Sequence, residues 1–213
     1  MLPPIYHERR YFMRPKKKYY ILLIVITLLL FLGLIFELST QMSDSASAIL
    51  TIETPQKVSL AAAEPLTLAV TISGLGDVRY PAMSASISFD ASRLEFLGLD
   101  DGNVFVHDDN NTTGQKLPEW SCNVEQSNKT GQINLIYLDL SGGKYAFDPN
   151  LLSEDDNILF RLKFRLRGSV RAGDVCELII EDAVFAASDE TQSLATTTGT
   201  LKVKNSKIVI TGE

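Results

Sequence analysis

The side chains available for chemistry are few. The chain has two histidines, His7 and His107, and two cysteines, Cys122 and Cys176. A Ser-His-Asp or Cys-His arrangement needs an imidazole within hydrogen-bond reach of the nucleophile. His7 lies in a basic leader and His107 opens "HDDNNTTG", which reads as a polar loop, so no such set can be built. Paired acids are the next candidates, because two carboxylates about 5–9.5 Å apart hydrolyse glycosides. Asp100-Asp101, Asp108-Asp109 and Glu154-Asp155-Asp156 all fall in segments that read as turns, where a solvated loop is the simpler explanation. "HDDNNTTG" and "SEDDN" offer oxygens to calcium, but neither has the central Gly and terminal Glu of an EF-hand loop. No phosphate-cradling glycine loop and no paired metal-ligand spacing occurs. Asn110, Asn111 and Asn128 head Asn-x-Ser/Thr triplets, which matter only in a glycosylating pathway. The expectation is a protein that is not an enzyme, with no catalytic residue, no metal site and no cofactor.

One acid stands apart. In "GQINLIYLDLSGGKY", residues 131–145, Asp139 sits between two leucines at the exit of a strand. A carboxylate left dry there is costly. Either it caps the amides of the "SGGK" turn, or it waits at an interface for another protein's donors. Trp120, the single tryptophan, shares a side with Cys122 and Val124, with Ser121, Asn123 and Glu125 opposite. Core packing suits it better than a flat sugar-binding platform.

The elements that position these residues divide by charge. Residues 1–18 carry six Lys/Arg against one Glu, a net of +5, and residues 38–213 carry 14 against 24 acids, a net of −10. Between them lies "YYILLIVITLLLFLGLIF", residues 19–36, free of charge and anchored by tyrosines. About 20 apolar residues of helix cross a bilayer, and the basic flank stays inside. The rival reading, a cleaved signal peptide, has an apolar region of about 7–15 residues with its cleavage site close behind. Here Ala46-Ser47-Ala48 lies ten or more residues past the apolar run. The expected order is a cytoplasmic leader (1–18), a transmembrane helix (19–36), a polar stalk (37–48) and an extracellular domain (49–213). Single-pass anchoring in the cell membrane follows, with the N-terminus cytoplasmic. The acidic domain argues against nucleic acid as a partner.

Past the stalk the pattern is β throughout. Strands are expected at 49–54, 66–73, 82–90, 93–99, 119–125, 132–140, 157–166, 176–185, 199–205 and, more weakly signalled, 207–211. In 82–90, Met83, Ala85, Ile87 and Phe89 alternate with Ala82, Ser84, Ser86 and Ser88. In 157–166, Leu159, Leu162, Phe164 and Leu166 are set against Arg161, Lys163, Arg165 and Arg167. Gly, Asp and Asn clusters such as "DDGN", "SGGK" and "RAGD" separate the runs. Nine or so short strands with no long amphipathic helix predict an all-β sandwich or jelly roll.

Three segments together resemble the cohesin family. "MSASISFDASRLEFLGLDDGNVF" (83–105) is similar to its alternating strand ending in aromatic-Asp, followed by a Leu-Glu strand and an Asp/Gly-rich turn. "GQINLIYLDLSGGKY" resembles the strand that ends in an acid and a Ser-Gly turn. "LIIEDAVFAASDETQSLATTTGTLKV" (178–203) resembles the closing segment, Phe-Ala-x-x-Asp before a last strand. The likeness spans roughly residues 48–205.

The resemblance implies a nine-stranded jelly-roll sandwich that binds dockerin modules, with calcium on the dockerin side. Docking would use one sheet face in strand order 8-3-6-5. Asp139 would take the place of the acid bonded by the docked module, and Ser141 and Gly142 its Ser-Gly turn. Alternation adds Asn134, Ile136 and Leu138 from the same strand, Asn123 and Glu125 from one neighbour, and Ser84 and Ser86 from the other. Many enzyme-binding members carry Asn-x-Asp where this chain has Ala82 and Ser84. The implied strands set Cys122 and Cys176 three spacings apart, roughly 14 Å, against a bridging limit of about 7 Å. The alternative function is a carbohydrate-binding or adhesive sandwich, with polysaccharide as the ligand and Tyr80, Tyr145 and Phe147 as loop aromatics.

Overall fold

The runs over 66–73, 82–89 and 132–138 that alternate apolar with small or polar residues form strands. The computed structural model describes residues 48–55, 57–61, 64–107, 114–153 and 157–212. The expected leader and membrane segment, the stalk up to Ser47, Asp108 to Asn111 and Glu154 to Asp156 lie outside them. Among the described residues no helix is long and apolar enough to cross a membrane.

The strands run β1 (Ala48–Ile52), β2 (Val58–Ser59), β3 (Leu66–Ser73), β4 (Ala82–Phe89), β5 (Leu94–Asp101), β6 (Val106–His107) and β7 (Ser121–Cys122). A helix, α1 (Val124–Thr130), follows, and then β8 (Gln132–Leu138), β9 (Ala146–Phe147), β10 (Ile158–Leu166), β11 (Val175–Ala186), β12 (Leu194–Ala195), β13 (Leu201–Lys204) and β14 (Ser206–Thr211). One sheet has the order β13-β1-β3-β10-β5. The other runs β2-β14-β11-β4-β8-β7, with β12 added to β11, and β6 pairs β9 in a small ribbon.

The two large sheets bury their inner faces against each other. Phe89 of β4 meets Phe164 of β10 at 5.4 Å between ring centroids, and Phe164 meets Phe96 of β5 at 5.5 Å. Such aromatic pairs add about 0.5–1.5 kcal/mol each beyond the area they bury. Trp120 fills the space beside the short β7, its ring 4.9 Å from Phe160 and 6.0 Å from Phe147, its Nε1–H donating to the Leu159 carbonyl at 3.3 Å. It packs as core, as its side of the strand implied.

Four local expectations need correction. The strand expected over 119–125 stops at Cys122, because Asn123 caps a helix by accepting from the Gln126 N–H at 2.9 Å. The strand pattern of β10 breaks at a bulge between Ile158 and Phe160, so Leu159 and Phe160 are both fully buried; an extra residue in one strand shifts its facing. Asp100 and Asp101 end β5 rather than occupying a turn, and Asp100 pairs with Lys163 at 3.0 Å. His107 belongs to no polar loop: it lies in β6 with 3% of its surface exposed, and neither ring nitrogen has a hydrogen-bond partner among the described residues. The β6–β9 ribbon closes this end of the sandwich, where the Arg79 guanidinium donates to the His107 carbonyl at 2.6 Å and reaches Asp148 at 3.2 Å.

Candidate protein-binding face

The candidate face is the outer surface of the β11-β4-β8-β7 sheet, the strand order expected of a docking sheet. On β8, Ile133, Leu135 and Tyr137 point inward and Asn134, Ile136 and Leu138 outward. Register sets Asn134 beside Ser86, Ile136 beside Ser84 and Leu138 beside Ala82. Beyond β4 the same rows continue to Asp182, Val184 and Ala186 of β11. The expected Ser84, Ser86, Asn134, Ile136 and Leu138 thus share one surface. The Ser86 hydroxyl donates to Asn134 Oδ1 at 2.6 Å, which fixes the polar half of the face.

The apolar half is open. Ile136 is 47% exposed, Leu138 54% and Leu140 88%. Two such side chains on the sheet and a third on the turn that follows it make the kind of surface that a partner desolvates. Leu140 escapes strand alternation, which stops at Leu138; its place in a turn between two polar residues is the available signal.

Asp139 is held by its own turn. Its Oδ1 accepts from the Ser141 amide at 2.8 Å and hydroxyl at 2.5 Å, and Oδ2 from the Tyr145 amide at 3.0 Å. Burial pushes its pKa up, but the bonds from Ser141, Tyr145 and Gly143 outweigh that and hold the carboxyl below the usual range. Of the two readings of Asp139, the hydrogen bonds support the turn cap. Gly142 and Gly143 have φ of 81° and 91°, a conformation that glycine adopts without strain. With Ser141 they let the turn wrap back on the carboxylate.

Asn123 and Glu125 are not on a strand of this face. Asn123 caps α1, and Glu125 sits in its first turn, exposed and paired with Lys129 at 2.6 Å. The signals were local: Asn at the cap, Gln three residues on, and Gly131 closing the helix.

Beside Leu138 the sheet edge opens into a groove of about 410 Å³, lined by Lys116, Glu119, Tyr137, Asp139, Leu140 and Tyr145 among others. The Tyr137 hydroxyl donates to the Tyr145 carbonyl at 2.6 Å. Burial, then the charge of Asp139, pushes its pKa well above the usual tyrosine range. Lys116 and Lys144 lie 4.7 and 5.4 Å from the Tyr145 ring centroid. The loop aromatics of the carbohydrate-binding alternative do not form a platform: Tyr80 and Phe147 are buried in the core, and only Tyr145 reaches the surface. Among the described residues no cluster of His, Cys, Asp or Glu could hold a metal ion.

No family model and no curated protein matches the sequence. Solved structures do match. The sixth cohesin of scaffoldin B from Acetivibrio cellulolyticus, solved with a Cel5 dockerin mutant, is 19% identical at a TM-score of 0.55, over 79% of this chain and 100% of that one. The OlpA cohesin of Clostridium thermocellum, in a type I cohesin–dockerin complex, is 17% identical at 0.55, over 77% and 99%. A cohesin module from a family 33 glycoside hydrolase of Clostridium perfringens is 13% identical at 0.51, over 78% and 98%. The domain has the cohesin fold.

Proposed function

We propose that this chain is a non-enzymatic, membrane-anchored receptor whose cohesin-like domain binds a dockerin module through the outer face of β11-β4-β8-β7. Its longer strands are read as a nine-stranded jelly roll. Residues 19–36 hold it in the cell membrane with the N-terminus cytoplasmic and the domain outside. The partner is a calcium-loaded dockerin carried by a polysaccharide-degrading enzyme or a scaffold. Tethering it raises its effective concentration at the surface. The observation that carries the reading is the exposed Ile136 and Leu138 on that sheet with Leu140 on the turn after it, in a fold whose solved neighbours include modules bound to dockerins. Ser84, Ser86 and Asn134 supply the polar rim. Asp139, Ser141 and Gly142 hold the turn that presents Leu140, so their contribution is to shape.

The test is calorimetric titration of the full chain with a panel of calcium-loaded dockerins. Binding at micromolar Kd or tighter is expected, with Ile136→Ala and Leu138→Ala together weakening it at least about tenfold, as for apolar hot spots. A folded double variant that binds undiminished, or a panel with no binder, rejects the proposal.

A further inference from the structure

The open face carries opposite charges at two diagonal corners. Past Leu138 and Leu140, Lys116 and Lys144 stand over Tyr145. Lys116 has Glu119 at 3.7 Å, and Asp139 is occupied by the amides and hydroxyl of its turn. Lys144 has no ion pair among the described residues, so it is the uncompensated charge of that corner. At the diagonal corner, a bulge between Ile180 and Asp182 leaves both Glu181 and Asp182 exposed. Their partners are neutral: Gln132 Nε2 donates to Glu181 at 3.1 Å and the Thr196 hydroxyl to Asp182 at 2.7 Å. Between the corners lie Ile136, Leu138, Ala82, Val184 and Ala186.

We propose that this face is self-complementary, and that a second copy of the chain occupies it as a two-fold dimer. An axis lying in the plane of the interface, over β4 and perpendicular to the line joining the corners, turns one face onto the other and exchanges the two corners. It brings Lys144 of each copy to Glu181 and Asp182 of the other. The apolar strip between the corners then packs against the same strip of the second copy. One contact made twice closes the assembly at two. Three strands about 4.8 Å apart and eight residues of about 3.3 Å rise give a few hundred Å² per copy. That lies at the transient end of interface sizes, so the dimer dissociates readily. One consequence rests on the dockerin reading: the dimer covers the docking face, so a dockerin has to displace the second copy.

Sedimentation of the full chain in an uncharged detergent tests this without any dockerin. The native chain should be a monomer–dimer mixture over roughly 10 μM to 1 mM. Two charge-reversed variants, Lys116→Glu with Lys144→Glu and Glu181→Lys with Asp182→Lys, should each dimerise about tenfold more weakly. Their equimolar mixture should regain near-native association, since every acid then faces a lysine. Leu138→Asp, with circular dichroism to confirm folding, should be monomeric. The proposal is overturned by a native chain that stays monomeric, by variants that dimerise like the native chain, or by a mixture no stronger than its components. Failure of dockerins to bind would leave these results untouched and reject only the docking proposal.

Discussion

Asp139 shows how a residue picked out by its surroundings acquires its role. Its place at a strand exit was legible, as was the Ser-Gly turn after it; that the carboxylate turns inward to three donors was not, because the path of residues 140–145 decides it. Asp139→Ala should therefore cost about 1–3 kcal/mol in urea denaturation by leaving turn amides without an acceptor, whereas the exposed Leu138→Ala should fall within about 0.5 kcal/mol. The pH dependence follows from direction. Asp90, held low chiefly by the Ser92 hydroxyl, and Asp139 both have pKa values below those of the unfolded chain. Their contribution is present above the unfolded value, about 4, and is lost as pH falls through the folded one. The urea midpoint should drop below about pH 4, less steeply in Asp139→Asn. Tyr137 acts on the other side: its raised pKa stabilises the fold below about pH 10, and this is lost as pH rises further. Tyr137→Phe should flatten the alkaline loss in the same measurement.

At the scale of elements, α1 is the piece that sequence periodicity missed. It is seven residues long, too short for an apolar stripe to declare itself, and one side chain ties it to β5. Asn128 accepts from the Phe96 N–H at 2.8 Å and donates to the Phe96 carbonyl at 2.7 Å, pairing with β5 as a neighbouring strand would. The asparagine that heads a glycosylation triplet thus has the amide nitrogen a glycan would be attached to already donating to Phe96 and Val124. Asn128→Ala should destabilise by about 2 kcal/mol, since two backbone groups lose their partner, and Glu125→Ala by no more than about 0.5 kcal/mol, as for an exposed i,i+4 pair. Guanidinium denaturation of the two variants distinguishes them. By contrast β4 and β8 lie nearly where strict alternation placed them, since every second residue is apolar and a one-residue slip would expose the whole set.

For the whole molecule, the cysteines report the topology. Cys122 stands on β7 and Cys176 on β11, with β8 and β4 between them, and burial raises both thiol pKa values. Three strand spacings, about 14 Å, exceed any bridge. Protein purified without reductant should therefore yield two thiols on unfolding, and both should alkylate slowly at pH 8 while folded. Composition and alternation by themselves determined the β class, the inward and outward rows of β4 and β8, and the exposed Ile136 and Leu138, because a two-residue period is a local property of the chain. Only the tertiary structure decided that Tyr80, His107 and Phe147 are buried, that Asp139 serves its own turn, and that Glu181 and Lys144 mark opposite corners of one face. Those outcomes depend on which distant strands become neighbours, and that is set by packing across the two sheets.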